Sequence, residues 1–285
     1  MKAVHYYTIA GAISLTALLY WGGNTIPPAK KPSADTQARP GAMGQATTTV
    51  KPASIDSVVV NSKAGLPKAA NDSIKIIENE LAAIRDSSRM AVVFTKLGGI
   101  WERNKKILVA TYYNSKAAKL ENSGKKLTFA GQIFLQLMQE EHSPSVQVWE
   151  AAEAVSCLEQ SLRIDSTNED TKLALASAYI EGTGEPMRGV MILRGITAKN
   201  PDDIPANMLL GRMSIQSGQY DKAVKRFETI IKLQPDNSEA IYFLAQSYEG
   251  LGNKAKAIEL LKKCKELVNK PEFSREIDQH INTLK

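Results

Sequence analysis

A catalytic or metal centre needs side chains that converge, and histidines and cysteines are the first residues to test for it. The chain carries His5, His142 and His280. None has a second His, Cys or carboxylate at a spacing that repeats or forms a known ligand motif, so the three read as solvent-facing or packing residues and no metal is expected. Cys157 and Cys264 are too few and too far apart for a disulfide framework, and each sits in an apolar helical stretch as a small buried hydrophobe. There is no G-x-S-x-G elbow and no Walker phosphate loop. Gly182-Thr183-Gly184 reads as a turn in which glycine supplies backbone freedom. No catalytic residue and no cofactor are therefore assigned, and the chain is expected not to be an enzyme.

If no side chains do chemistry, the remaining resource is surface, and charge is its coarsest property. The formal charge of +6 over 285 residues resembles a nucleic-acid signal until it is divided along the chain. Between 22 and 70, Lys30, Lys31, Arg39, Lys51, Lys63 and Lys68 stand against Asp35 and Asp56, a net of +4; with Lys2 counted separately, residues 71 to 285 keep +1. A nearly neutral body lacks the concentrated basic face that phosphate neutralisation requires, and no nucleic-acid partner is expected.

From Ala3 to Trp21 the chain runs without Asp, Glu, Lys or Arg and closes on Leu18, Leu19, Tyr20 and Trp21. That length suits a helix crossing a bilayer, and aromatic residues suit its interface. Residues 1 to 23 are read as a transmembrane or signal-anchor helix; cleavage as a signal peptide is the alternative, though Tyr20 and Trp21 give no small-residue cleavage site. A strict count of basic residues would keep the C-terminal body in the cytoplasm. Residues 24 to 70, with Pro27-Pro28, Pro32, Pro40 and Thr47-Thr48-Thr49, are read as a flexible linker that buries too little apolar surface to offset chain entropy. Within and just after it, Asp56-Ser57-Val58 and Asp72-Ser73-Ile74 match a short sugar-acceptor pattern, for which linker and helix-start chemistry is the simpler account.

Self-comparison of the C-terminal half gives the strongest signal, matching positions 34 residues apart. Leu210-Gly211, Gly218, Tyr220, Ala223, Phe227 and Pro235 are followed at that step by Leu244-Ala245, Tyr248, Gly252, Ala257 and Leu261, with Asn269 at the proline position. One step back, Gly184, Gly189, Leu193 and Pro201 align, and Leu175-Ala176 and Tyr179 join them if one residue is inserted in the intervening turn. Small residues such as Gly211 and Ala223 let two helix backbones approach, whereas Leu210, Phe227 and Tyr248 fill the space between pairs.

This pattern resembles the tetratricopeptide repeat (TPR) family and the membrane-anchored TPR proteins of bacteria. The resemblance covers roughly 91 to 271 and is strong from 170 onward. It implies an all-α fold, a right-handed α-solenoid of helix pairs, with units at 170–203, 204–237 and 238–271. Upstream, Phe94, Leu97-Gly98, Trp101, Ala110 and Ala117 fit another unit at 91–124, with Asn114 at a normally apolar position. Residues 125–169 fit a second divergent one, about eleven residues too long near Glu140 to Val146, which implies a long loop or an extended helix. The stretch from 71 to 169 is thus read as divergent repeats, opened by an amphipathic helix through Ile74, Ile77, Leu81 and Ile84. Phe273, Ile277, Ile281 and Leu284 mark a capping helix that covers the end of the array.

In this family the first helices of successive units line a concave groove, so the resemblance implies a protein or peptide partner there. The groove would carry Leu173 and Ser177, then Met208, Arg212 and Gln216, then Tyr242, Gln246 and Glu249. The relatives that clamp a terminal carboxylate use Lys, Asn and Arg; the comparable positions here hold Leu173, Ser177, Leu209, Glu239 and Phe243, so that clamp is absent. The expectation is a non-catalytic interaction scaffold anchored in a bacterial inner membrane by one span, its body periplasmic by resemblance to envelope proteins of this build, with a cytoplasm-facing or secreted body as alternatives. A self-associating homo-oligomer and a regulatory subunit of an enzyme complex are the competing roles.

Overall fold

A computed structural model describes residues 50–141 and 143–285. The expected anchor at 1–23, the linker up to residue 49, His5 and His142 lie outside the described residues. Among the described residues there are thirteen helices and no strand. None of them is long and apolar enough to cross a membrane.

The first helices of most pairs begin on an Asp or Asn whose side chain accepts the backbone N–H three residues on. Asp86 accepts from Arg89, Asn168 from Thr171, Asp203 from Ala206 and Asn237 from Ala240, at 2.8–2.9 Å. Each satisfies one N–H of the first turn that has no helical partner. The pairs are α3 Ser87–Arg103 with α4 Ile107–Leu120, α5 Gly124–Glu140 with α6 Pro144–Ile164, α7 Glu169–Glu181 with α8 Pro186–Lys199, α9 Ile204–Gln216 with α10 Tyr220–Leu233, and α11 Ser238–Gly250 with α12 Lys254–Val268. Before them stand α1 Ile55–Lys63 and α2 Lys68–Ala83, and α13 Pro271–Leu284 closes the chain.

Each paired helix packs on its neighbours in sequence, and α5, α7, α9 and α11 also touch one another in series, as a stack of helix hairpins requires. Both helices of the pair at 204 recur 34 residues later. One step back, α8 keeps that spacing while α7 starts one residue earlier still, because the turn before α8 is longer by one. The turns inside the three regular pairs need a left-handed residue, and Gly184, Gly218 and Gly252 supply it at φ 71, 68 and 76°. In the α3–α4 turn Lys105 takes that conformation at φ 58°.

In three of the hairpins a glycine on the first helix faces a larger side chain on the second. A Cβ added to Gly211 would lie 2.5 Å from the Phe227 ring, one at Gly131 2.6 Å from Leu158, and one at Gly98 2.2 Å from the Asn114 carboxamide oxygen. Asn114 thus holds the Phe227 position in the first pair. The surplus residues of the α5–α6 pair form extended helix and no long loop: the two helices run 17 and 21 residues, and Gln147 Nε2 donates to Glu141 O at 2.5 Å across the short turn. A second recurring contact ties pairs together. Tyr179 O–H donates to Glu159, and Tyr248 O–H donates to Glu228 Oε1 at 3.0 Å, each reaching the second helix of the preceding pair.

Residues 50–70 correct the reading of that stretch as flexible linker. Ser54 Oγ accepts from Ser57 N to start α1, Val58 is buried, and Ala53, Ile55, Val59 and Leu66 pack on the core that holds Trp101, Tyr113 and Trp149. Ala53 N also donates to Ser145 O at 2.8 Å. The composition of the whole Pro/Thr-rich stretch hid three apolar residues at helical spacing, Ile55, Val58 and Val59. Ser57 returns its hydroxyl to Ser54 O at the start of α1, and Ser73 returns its own to Ala69 O one turn back inside α2.

Candidate protein-binding face

The eight groove residues read from the sequence do not share one environment. Leu173 is half-buried against the core of Ala176, Val190 and Leu193, so packing occupies much of its side chain. Ser177 and Met208 are half-buried and Gln216 is exposed. Tyr242, Gln246 and Glu249 lie toward the closing helix: the Tyr242 hydroxyl is bonded to Gln246, and burial, with Cys264, Glu249 and Glu276 nearby, pushes its pKa up. Glu249 Oε2 is 2.9 Å from His280 Nε2 on α13. The hydrogen bond to Glu249 raises the His280 pKa above its ordinary value.

Arg212 is the hub of the middle of the array. Its Nη2 is 3.7 Å from Glu181 Oε1 at the end of α7, and its guanidinium carbon stands 5.8 Å from the Phe243 ring centroid on α11. It also lowers the pKa of Glu239, which burial otherwise raises. One side chain thus bridges three successive first helices. Phe243 is buried, stacked on Phe227 at 5.6 Å and edge-on to Tyr242 at 5.8 Å. Guanidinium over an aromatic face, beside a carboxylate, fixes the group while leaving donors free for a ligand. Glu181 is absent from the eight residues, yet stepping Gln216 back by one unit lands on it, so the repeat itself carried the signal.

Both cysteines are free and buried. Burial pushes the Cys157 thiol up to about 11 and Cys264 to about 12, and Cys264 donates to Ser238 O at 3.3 Å. No group of three or more His, Cys, Asp and Glu side chains suited to a metal ion occurs among the described residues. The buried Glu150 has its pKa raised to about 8, first by desolvation and then by Glu141, and its Oε2 has no hydrogen-bond partner.

The family described as regulator of microtubule dynamics protein 1-3 matches residues 204–285, which are the last two helix pairs and α13. No curated protein matches the chain. Among solved structures, MamA is 21% identical with a TM-score of 0.49, covering 63% of this chain and 92% of its own. YrrB, described as a TPR protein with an unusual peptide-binding site, is 19% identical with a TM-score of 0.48, covering 74% of this chain and 98% of its own. MamA from Desulfovibrio magneticus RS-1, from residue 41 to its end, is 19% identical with a TM-score of 0.43 over 54% of this chain and 82% of its own. The chain resembles TPR proteins in fold. Its hairpins, stepped by 34 residues, have the character of such repeats in their own right.

Proposed function

We propose that the protein is a non-catalytic scaffold that holds another protein or peptide against the face formed by its first helices. The observation that carries this reading is the strip of Met208, Arg212 and Gln216 on α9, with Arg212 positioned by Glu181 and Phe243. Thioether, guanidinium and amide groups on a rigid helix are the side chains that interfaces bury. The apolar run from Ala3 to Trp21 supports a membrane anchor; a bacterial inner membrane and a periplasmic body are the choice that resemblance to envelope proteins of this build favours, against the count of basic residues.

The test uses a partner trapped by crosslinking in the cells that make the protein. Replacing Met208, Arg212 and Gln216 together by Ala should abolish binding of that partner, each interface anchor being worth about 1–2 kcal/mol, while helix content is retained. Normal binding by the triple variant would place recognition elsewhere. For topology, a C-terminal reporter that is active only in the cytoplasm should be silent; activity there would overturn the periplasmic assignment.

A further inference from the structure

The first pair of the array carries a different surface from the middle. On α3, Val92, Lys96, Gly99, Ile100 and Arg103 recur at helical spacing and line a cavity of about 520 Å³, closed on one side by Ile77 of α2. Val92 is exposed to 56%, an apolar residue left open on a helix that buries its other face. At the far wall, Lys126 Nζ and Glu121 Oε2 neutralise each other at 2.6 Å. Lys96 and Arg103 have no ion-pair partner among the described residues. Gly99 leaves room for Arg103 to lie back along the helix, its Nη1 3.4 Å from where a Cβ would stand.

An apolar floor flanked by two unpaired cations, in a depression open to solvent, selects an occupant with both characters. We propose that this cavity binds an acidic segment of a separate protein, in which Asp or Glu side chains flank an apolar anchor: the anchor rests on Ile77, Val92 and Ile100, and the carboxylates meet Lys96 and Arg103. The chain's own N-terminal stretch is the wrong partner, since Lys30, Lys31 and Arg39 outnumber Asp35 there. Nucleic acid is disfavoured by the neutral body and the apolar floor. This inference rests on the reading of the first-helix face as a binding surface, and names the partner's chemistry at one end of it.

The experiment is fluorescence anisotropy of the full chain with a labelled peptide of Glu residues around a central Leu-Phe, both termini blocked so that no terminal carboxylate contributes. The peptide should bind, its Lys counterpart should bind at least about tenfold more weakly, and Lys96→Glu with Arg103→Glu should weaken it by about tenfold or more. The milder Lys96→Gln with Arg103→Gln should weaken it by a smaller factor, which guards against misfolding of the charge-reversed variant. Lys232→Glu, exposed on the second helix α10, should leave it unchanged. No binding at about 1 mM, equal binding of the Lys peptide, equal binding by both double variants, or displacement by inorganic triphosphate as strong as by unlabelled peptide would overturn the proposal. Loss on Arg212→Glu alone would move the acidic segment to the middle of the array, overturning this cavity while leaving the first-helix face standing.

Discussion

His280 on the closing helix and Glu249 on α11 meet at 2.9 Å, so the residue expected at the end of the groove is held by the helix that ends the array. The bond to Glu249 is the main reason His280 keeps its proton above its ordinary pKa of 6.5. A raised folded-state pKa contributes stability that is fully present below the unfolded value and is lost as pH rises through the folded one. Thermal stability should therefore decline as pH rises above about 6.5, and His280→Gln should flatten that component; an unchanged pH profile in the variant would contradict it. Both side chains are partly exposed, so the effect should be modest and screened by salt.

Glu150 offers a second pH effect with a different window. Its pKa rises from 4.5 to about 8, so the folded state binds a proton that the unfolded state has lost between those values, and stability falls as pH rises through them. Glu150→Gln keeps the shape and removes the titration. The variant should melt higher than the parent near pH 8 and show the smallest advantage near pH 4.5, measured by circular dichroism.

The close approach of Gly211 to Phe227 predicts that the hairpin tolerates neither a larger glycine position nor a smaller aromatic. Gly211→Ala forces the ring to move and should cost about 1–3 kcal/mol. Phe227→Ala opens a void beneath a fully buried ring that also stacks on Phe243, and should cost about 3–5 kcal/mol. Chemical denaturation of each variant reads both.

Helix α1 belongs to the body, and its removal should be felt. Val58→Ala should cost about 1–3 kcal/mol, as expected for a buried Val side chain. A chain starting at residue 50 should melt like the full one, whereas a chain starting at 67 should melt lower because it uncovers the core around Tyr113 and Trp101. Equal melting of the two truncated chains would restore the view of 50–66 as a tether.

The regular hairpins were legible because identical geometry repeats: Leu210-Gly211 and Leu244-Ala245 occupy the same place in successive units, and one inserted residue before α8 was visible as a shift in alignment. The Asn168, Asp203 and Asn237 helix starts follow the same step and could have been found by it, while the Tyr–Glu bonds recur two units apart. Three features were harder. Three core-packing residues of α1, Ile55, Val58 and Val59, were diluted by the Pro/Thr-rich stretch around them. Arg212's links to Glu181 and Phe243 join different units, which a register along one helix does not reveal. Tyr242 and Glu249 fall on groove positions by register, yet the closing helix has the same claim on them that a further repeat would have.

A partner seated on the face formed by the first helices must touch the side chains that project from it. A photo-crosslinking amino acid placed singly at Met208 or Gln216, and in separate chains at Met191, which is exposed on the second helix α8, tests this directly in the cells that make the protein. One discrete crosslinked species is expected from positions 208 and 216 and is absent from 191. The same species formed from 191, and not from 208 or 216, would contradict it.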